Sequence, residues 1–88
     1  MSCVYIIQSK INQKFYTGST REDFPDKRLS SHNAGKTKST KSGRPWAIVR
    51  VEKYPDYSTA RKRELFLKTG IGRKLAKELV NNNGWMGG

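Results

Sequence analysis

The chain has one cysteine, one histidine and three prolines, and only seven acidic residues against eighteen lysines and arginines. Each scarcity excludes something. One cysteine cannot form an internal disulfide, and Cys3 has no second thiolate with which to hold a metal, which leaves it as a small core residue in a strand. His32, standing alone, lacks the partner ligands that a zinc site needs. No apolar run approaches ~20 residues, so nothing reads as a membrane span, and no charged start followed by an apolar stretch reads as a signal peptide. The expected compartment is the cytoplasm, with no membrane among the partners. Gly70-Ile71-Gly72 lacks the surrounding pattern of a phosphate loop, and there are no internal repeats.

The shortage of acid is the strongest signal. A net charge of +11 and a pI near 10.2 suit a polyanionic partner, nucleic acid first. From Lys27 to Val51 there is no Asp or Glu, while the same span holds Lys27, Arg28, Lys36, Lys38, Lys41, Arg44 and Arg50. Surfaces usually mix signs. The one-sign stretch reads as a phosphate-contacting surface, with Lys36, Lys38, Lys41 and Arg44, together with Lys68 further on, as nucleic-acid contacts. Such contacts give affinity and registration, not sequence choice. The plainer alternative is a solubilising loop.

Eighty-eight residues make one domain with a thin core. Residues 3–7, apolar and β-branched apart from Cys3 and Tyr5, predict a strand covered on both faces. A hairpin turn around Ser9-Lys10-Ile11-Asn12 leads to a second strand over 14–18. Asp23, as a cap, and Pro25 mark the start of a helix that Gly35 stops. The segment 36–45, KTKSTKSGRP, has no apolar residue and reads as a mobile, positive loop without a regular element. A third strand runs from Trp46 to about Lys53, closed by Pro55. A helix from Ser58 or Thr59 to Thr69 is stopped by Gly70, and Gly72 starts a last helix with Leu75, Ala76, Leu79 and Val80 as its apolar stripe. The domain covers 1–81, and 82–88 reads as a flexible tail. The order strand, strand, helix, strand, helix, helix predicts an α+β fold, a small three-stranded antiparallel sheet flanked by helices.

Four residue types carry the chemistry. Glu64 falls on one face of its helix with Ala60 and Leu67. A carboxylate on a core-facing stripe needs a partner or a cation, although a surface pairing with Lys68 at i+4 would serve equally. Arg28 and His32, four apart, share a helix face. Tyr5 and Tyr16 lie in neighbouring strands, where tyrosine is also ordinary sheet filler.

The ordered set resembles the GIY-YIG nuclease family. Cys3-Val4-Tyr5 stands where the family has Gly-Ile-Tyr, and Tyr16-Thr17-Gly18 where it has Tyr-Ile-Gly. RLSSHNAGKTKSTKSGRPW is similar to the Arg-x-x-x-His-Asn-x-Gly segment of the small single-domain members, which resemble the N-terminal nuclease domain of the excision-repair protein UvrC. ARKRELFLKTG supplies a glutamate on the following helix. The resemblance runs from about Val4 to Val80. The departures are Cys3, Val4 and Thr17, none of which removes a reactive group, and Ser19 where the repair branch tends to carry lysine.

The resemblance implies a divalent-metal-dependent endonuclease acting on DNA, with RNA not excluded, in repair or recombination. It implies that Tyr5, Tyr16, Arg28, His32 and Glu64 are catalytic. Glu64 would be the metal ligand, for Mg²⁺ or Mn²⁺. Tyr5 would be the general base, its phenolate favoured by Arg28 and the metal. His32 would take a proton from Tyr5 or orient it. A non-catalytic DNA- or RNA-binding module of the same fold is the alternative, and a scaffold docking on another repair protein a third. A lone core of this size would act on DNA structure, act non-specifically, or borrow a protein partner.

Overall fold

The computed structural model of the protein describes residues 1–83. Strands β1 (Ser2–Ser9), β2 (Phe15–Thr20) and β3 (Trp46–Tyr54) form an antiparallel sheet in the order β2-β1-β3. Helix α1 (Asp26–Asn33) lies between β2 and β3 in sequence, and α2 (Tyr57–Leu67) and α3 (Gly70–Asn83) follow β3. The α+β architecture and the element order agree with the sequence reading. Helix α3 takes in Asn82 and Asn83, and the rest of the predicted tail, 84–88, lies outside the described residues.

The central strand organises the molecule. Because β1 pairs on both sides, its backbone is satisfied by the sheet and both its faces can be apolar. Val4 and Ile6 pack with Ala60, Leu67 and Ala76 of α2 and α3. Tyr5 and Ile7 pack on the opposite face with Trp46, Tyr16 and Leu29 of α1. Val4, Ile6 and Ile7 are almost fully buried, and burying each such side chain contributes about 1.5–3 kcal/mol. The alternation therefore splits the core in two and sends Tyr5 to the α1 face. A register shift on the β3 side falls between Ile6 and Ile7.

The segment after α1 differs from expectation. It is docked on the fold, with a 3₁₀ turn over Lys38–Gly43. Its anchors are polar groups that composition does not advertise. Thr40 is fully buried and its carbonyl accepts from Trp46 Nε1 at 2.8 Å, while Ser9 Oγ donates to the Gly43 carbonyl at 2.6 Å. Asn33, at the end of α1, accepts from the Trp46 backbone N–H and donates to its carbonyl, as a strand neighbour would. Trp46 thereby locks the segment and α1 onto the start of β3.

Helix ends also moved. Pro25, not Asp23, occupies the α1 cap position, and the Asp23 carboxylate meets the amino terminus of Met1 at 3.2 Å. Gly35, at φ +78°, does end α1, in the left-handed region open to glycine. Asp56 caps α2 by accepting from the Thr59 N–H at 2.8 Å, and Thr69 Oγ1 accepts from the Gly72 N–H at the start of α3. Glu52 of β3 binds Arg63 of α2 through both carboxylate oxygens, tying helix to sheet.

Candidate active site

Tyr5 and Gly18 face each other across β1 and β2. The Tyr5 ring lies over Gly18 so closely that a Cβ there would stand 2.5 Å from Cζ and closer still to the hydroxyl. Only glycine leaves the phenol its place. Tyr16, two residues earlier on β2 and so on the same face, sets its ring 4.9 Å from that of His32.

Helix α1 brings His32 over the tyrosines, with Arg28 one turn earlier. The Tyr5 hydroxyl lies 3.0 Å from His32 Nε2, and His32 Nδ1 lies 2.8 Å from Thr40 Oγ1. Thr40 Oγ1 donates in turn to the Thr37 carbonyl at 3.3 Å. A hydroxyl whose proton is given to Thr37 accepts from Nδ1–H, which leaves the Nε2 lone pair for the Tyr5 O–H. The direction of the chain assigns the tautomer. Burial, then the charge on Arg28, lowers the His32 pKa, so the imidazole is neutral at pH 7 and accepts the phenol's hydrogen bond.

Arg28 alone does not favour the Tyr5 phenolate. Arg28 does pull its pKa down, but burial pushes it up more strongly, helped by Tyr16, and the phenol sits well above its ordinary value. At 3% exposure it is held as the neutral hydroxyl.

His32 also makes stability pH-dependent. An unfolded imidazole takes up its proton near the ordinary value of 6.5, the folded one only at lower pH. The unfolded chain therefore binds more protons below about pH 6.5, and stability falls with pH there, by up to ~1.4 kcal/mol per unit. Glu52 and Glu64, held below their ordinary 4.5, lose their contribution only at more acid pH. Urea unfolding between pH 7 and 5 is expected to show this decline in the native protein and a flatter line in His32→Gln. Equal slopes would remove His32 as the cause.

Glu64 projects from α2 toward β2 and is 3% exposed. The core-facing and paired readings both hold: Lys68 Nζ lies 2.7 Å from Oε2, Arg61 Nη1 lies 2.8 Å from Oε1, and Ser19 Oγ donates a short hydrogen bond to Oε1. Burial pushes the carboxyl up, but the bonds from Lys68, Ser19 and Arg61 outweigh it and hold the pKa below the ordinary value. Glu64 is an anion at neutral pH.

These groups meet in a cleft of about 290 Å³ lined by Tyr5, Tyr16, Arg28, His32 and Glu64, so the five predicted catalytic residues share one cavity. Ser19, Tyr57 and Arg61 line it as well, and the sequence reading gave none of them a role in the site. Arg61, at i−3 from Glu64, was the legible one of the three. Of the predicted nucleic-acid contacts, Lys36, Lys38, Lys41 and Arg44 are exposed on the docked segment beyond α1. They do not line the cleft, but Thr37 in their midst does. Lys68 binds Glu64 and lies 5.2 Å from the Tyr16 ring centroid.

Among the described residues no three His, Cys, Asp or Glu come together. A softer metal that needs several protein ligands therefore has no site there. A hard divalent cation fits better, since it takes one or two carboxylates and keeps water and phosphate oxygens for the rest. Glu64 can supply one such ligand. Its Oε2 accepts from Lys68 alone and retains a lone-pair direction.

No helix among the described residues is long and apolar enough to cross a membrane. A comparison with curated proteins finds no match. A family model described as the GIY-YIG catalytic domain matches residues 1–76 of the 88. With its three-stranded sheet, its paired tyrosines and its cleft, the chain belongs to the GIY-YIG family, whose catalytic domain is of nuclease type.

Proposed function

We propose that the protein is an endonuclease that hydrolyses phosphodiester bonds in DNA with Mg²⁺ or Mn²⁺. The observation that carries this reading is the convergence of two phenols, an imidazole, a guanidinium and a buried carboxylate on one small cleft in a molecule of net charge +11. The resemblance to the UvrC nuclease domain suggests repair or recombination as the setting.

Hydrolysis needs a deprotonated water, neutralised phosphoryl oxygens and a stabilised leaving oxygen. Glu64 would hold the metal, which when bound would supply positive charge to the phosphoryl and leaving oxygens. Arg28 presents a planar fork to a non-bridging oxygen of the scissile phosphate. Arg61, 48% exposed at its side chain, is free to turn from Glu64 to the same phosphate. The Tyr16 hydroxyl orients the attacking water.

The proton follows the observed chain. Water attacks phosphorus and gives a proton to the Tyr5 oxygen as the Tyr5 proton passes to His32 Nε2. The P–O bond to the leaving oxygen breaks, and solvent protonates that oxygen. The raised pKa of Tyr5 and the lowered pKa of His32 fit this pair, since neutral phenol and neutral imidazole are the resting forms. The base is thus the Tyr5–His32 couple.

Supercoiled plasmid incubated with the pure protein and Mn²⁺ is expected to be nicked, and EDTA to stop it. Tyr5→Phe is expected to slow nicking by about 10²–10⁴-fold, the usual worth of a positioned acid–base group, with DNA affinity unchanged. Tight plasmid binding without nicking under either metal would replace this reading by the binding-module alternative.

A further inference from the structure

A second groove, about 510 Å³, adjoins the cleft and shares Tyr16 with it. It runs between β2 and α3. Its floor is Phe15, Leu67 and Ala76, and its rim carries Lys14, Lys68, Arg73 and Lys77. No acidic residue lines it. Lys14, Arg73 and Lys77 are exposed, and among the described residues none of them forms an ion pair. Lys68, bound to Glu64 and lying near the Tyr16 ring, stands where groove and cleft meet.

An apolar, aromatic floor under a cationic rim calls for a ligand that is flat and apolar in one part and anionic in another. Duplex DNA does not offer this, because its bases are stacked inside and it presents mainly phosphate and sugar. An unpaired nucleotide offers both, as base faces stack on aromatic side chains while the backbone follows positive charge. The volume lies within the ~300–1,000 Å³ usual for small-ligand sites.

We propose that this groove holds an unpaired nucleotide of the strand whose phosphate occupies the cleft. Its base lies against Phe15 on the groove floor, with Tyr16 at the end shared with the cleft, and its flanking phosphates meet Lys14, Arg73 and Lys77. The substrate is then DNA that is single-stranded or frayed beside the scissile bond. This deepens the nuclease reading and rests on it.

Binding measured by fluorescence anisotropy in EDTA tests the groove without cleavage. The native protein is expected to bind a short oligothymidylate at least about 5-fold more tightly than an abasic strand of equal length, whose phosphates are the same. Equal affinities would overturn the proposal. In the double variant Arg73→Gln, Lys77→Gln, single-strand affinity is expected to fall about 10-fold, with the slope of log K against log salt shallower by about 1.4. Blunt duplex is expected to lose less than about 2-fold, because its phosphates bypass this groove. Equal loss on both DNAs, or no loss on either, would also overturn it. Both changes are at exposed positions, and a melting temperature equal to the native one confirms the fold. Intact plasmid nicking with no preference for bases counts against the groove alone. A clear preference without nicking counts against the nuclease reading alone.

Discussion

Glu64→Gln is expected to lower metal-dependent cleavage by at least about 10³-fold, roughly 4 kcal/mol of barrier, while leaving DNA affinity within a few-fold. The side chain keeps its size and its carbonyl still accepts from Ser19. What it loses is the single negative charge at the inner wall of the cleft. Without that charge, Arg61 and Lys68 face each other with no counter-ion, a setting that repels a divalent cation and attracts phosphate. Both cations are 39–48% exposed at their side chains, so they rehydrate and the fold survives, since partly exposed pairs contribute little. Nicking rates and filter binding on the same preparations separate the two effects. Cleavage at the native rate would take Glu64 out of the mechanism.

The second large effect concerns Gly18. Gly18→Ala adds one methyl carbon where the Tyr5 ring already lies. Neither partner can yield cheaply, because Tyr5 is buried and Gly18 is fixed by its pairing with β1. Overpacking of this kind costs about 1–3 kcal/mol, and the ring that moves takes its hydroxyl away from His32. The variant is expected to melt lower and to lose most cleavage. Adding Tyr5→Phe relieves the contact with the hydroxyl but not that with Cζ, so the double variant recovers only part of the stability and none of the activity. Full recovery of stability would show that the hydroxyl alone set the constraint.

The same contact shows what a reading of residues can and cannot reach. The strands were legible because β1 holds the apolar run 3–7 and β3 opens on a largely apolar, β-branched stretch over 46–51. Glu64 was legible because helical spacing put it on the stripe of Ala60 and Leu67. Arg28 and His32 followed from a spacing of four. The role of Gly18 was not legible, since it depends on which residue faces it across two strands. Segment 36–45 reads as loop by composition, yet Thr40, eight residues past His32, supplies the acceptor that sets the imidazole tautomer. Nothing in the local sequence marks that threonine from its neighbours. Asp56 was passed over as a cap because Ser58 and Thr59 are equally good candidates nearby. That Arg28 alone would not favour the Tyr5 phenolate was hidden for a different reason: burial outweighs its charge, and burial belongs to the whole fold.

One consequence of the two-faced central strand reaches beyond any single substitution. Tyr5 and its aliphatic neighbours Val4 and Ile6 occupy alternate positions, so chemistry and cohesion are interleaved letter by letter. Removing or inserting one amino acid ahead of Tyr5 would turn the phenol inward among hydrocarbons and push an isoleucine or valine toward the imidazole. Changes of length in this strand are therefore closed to the protein.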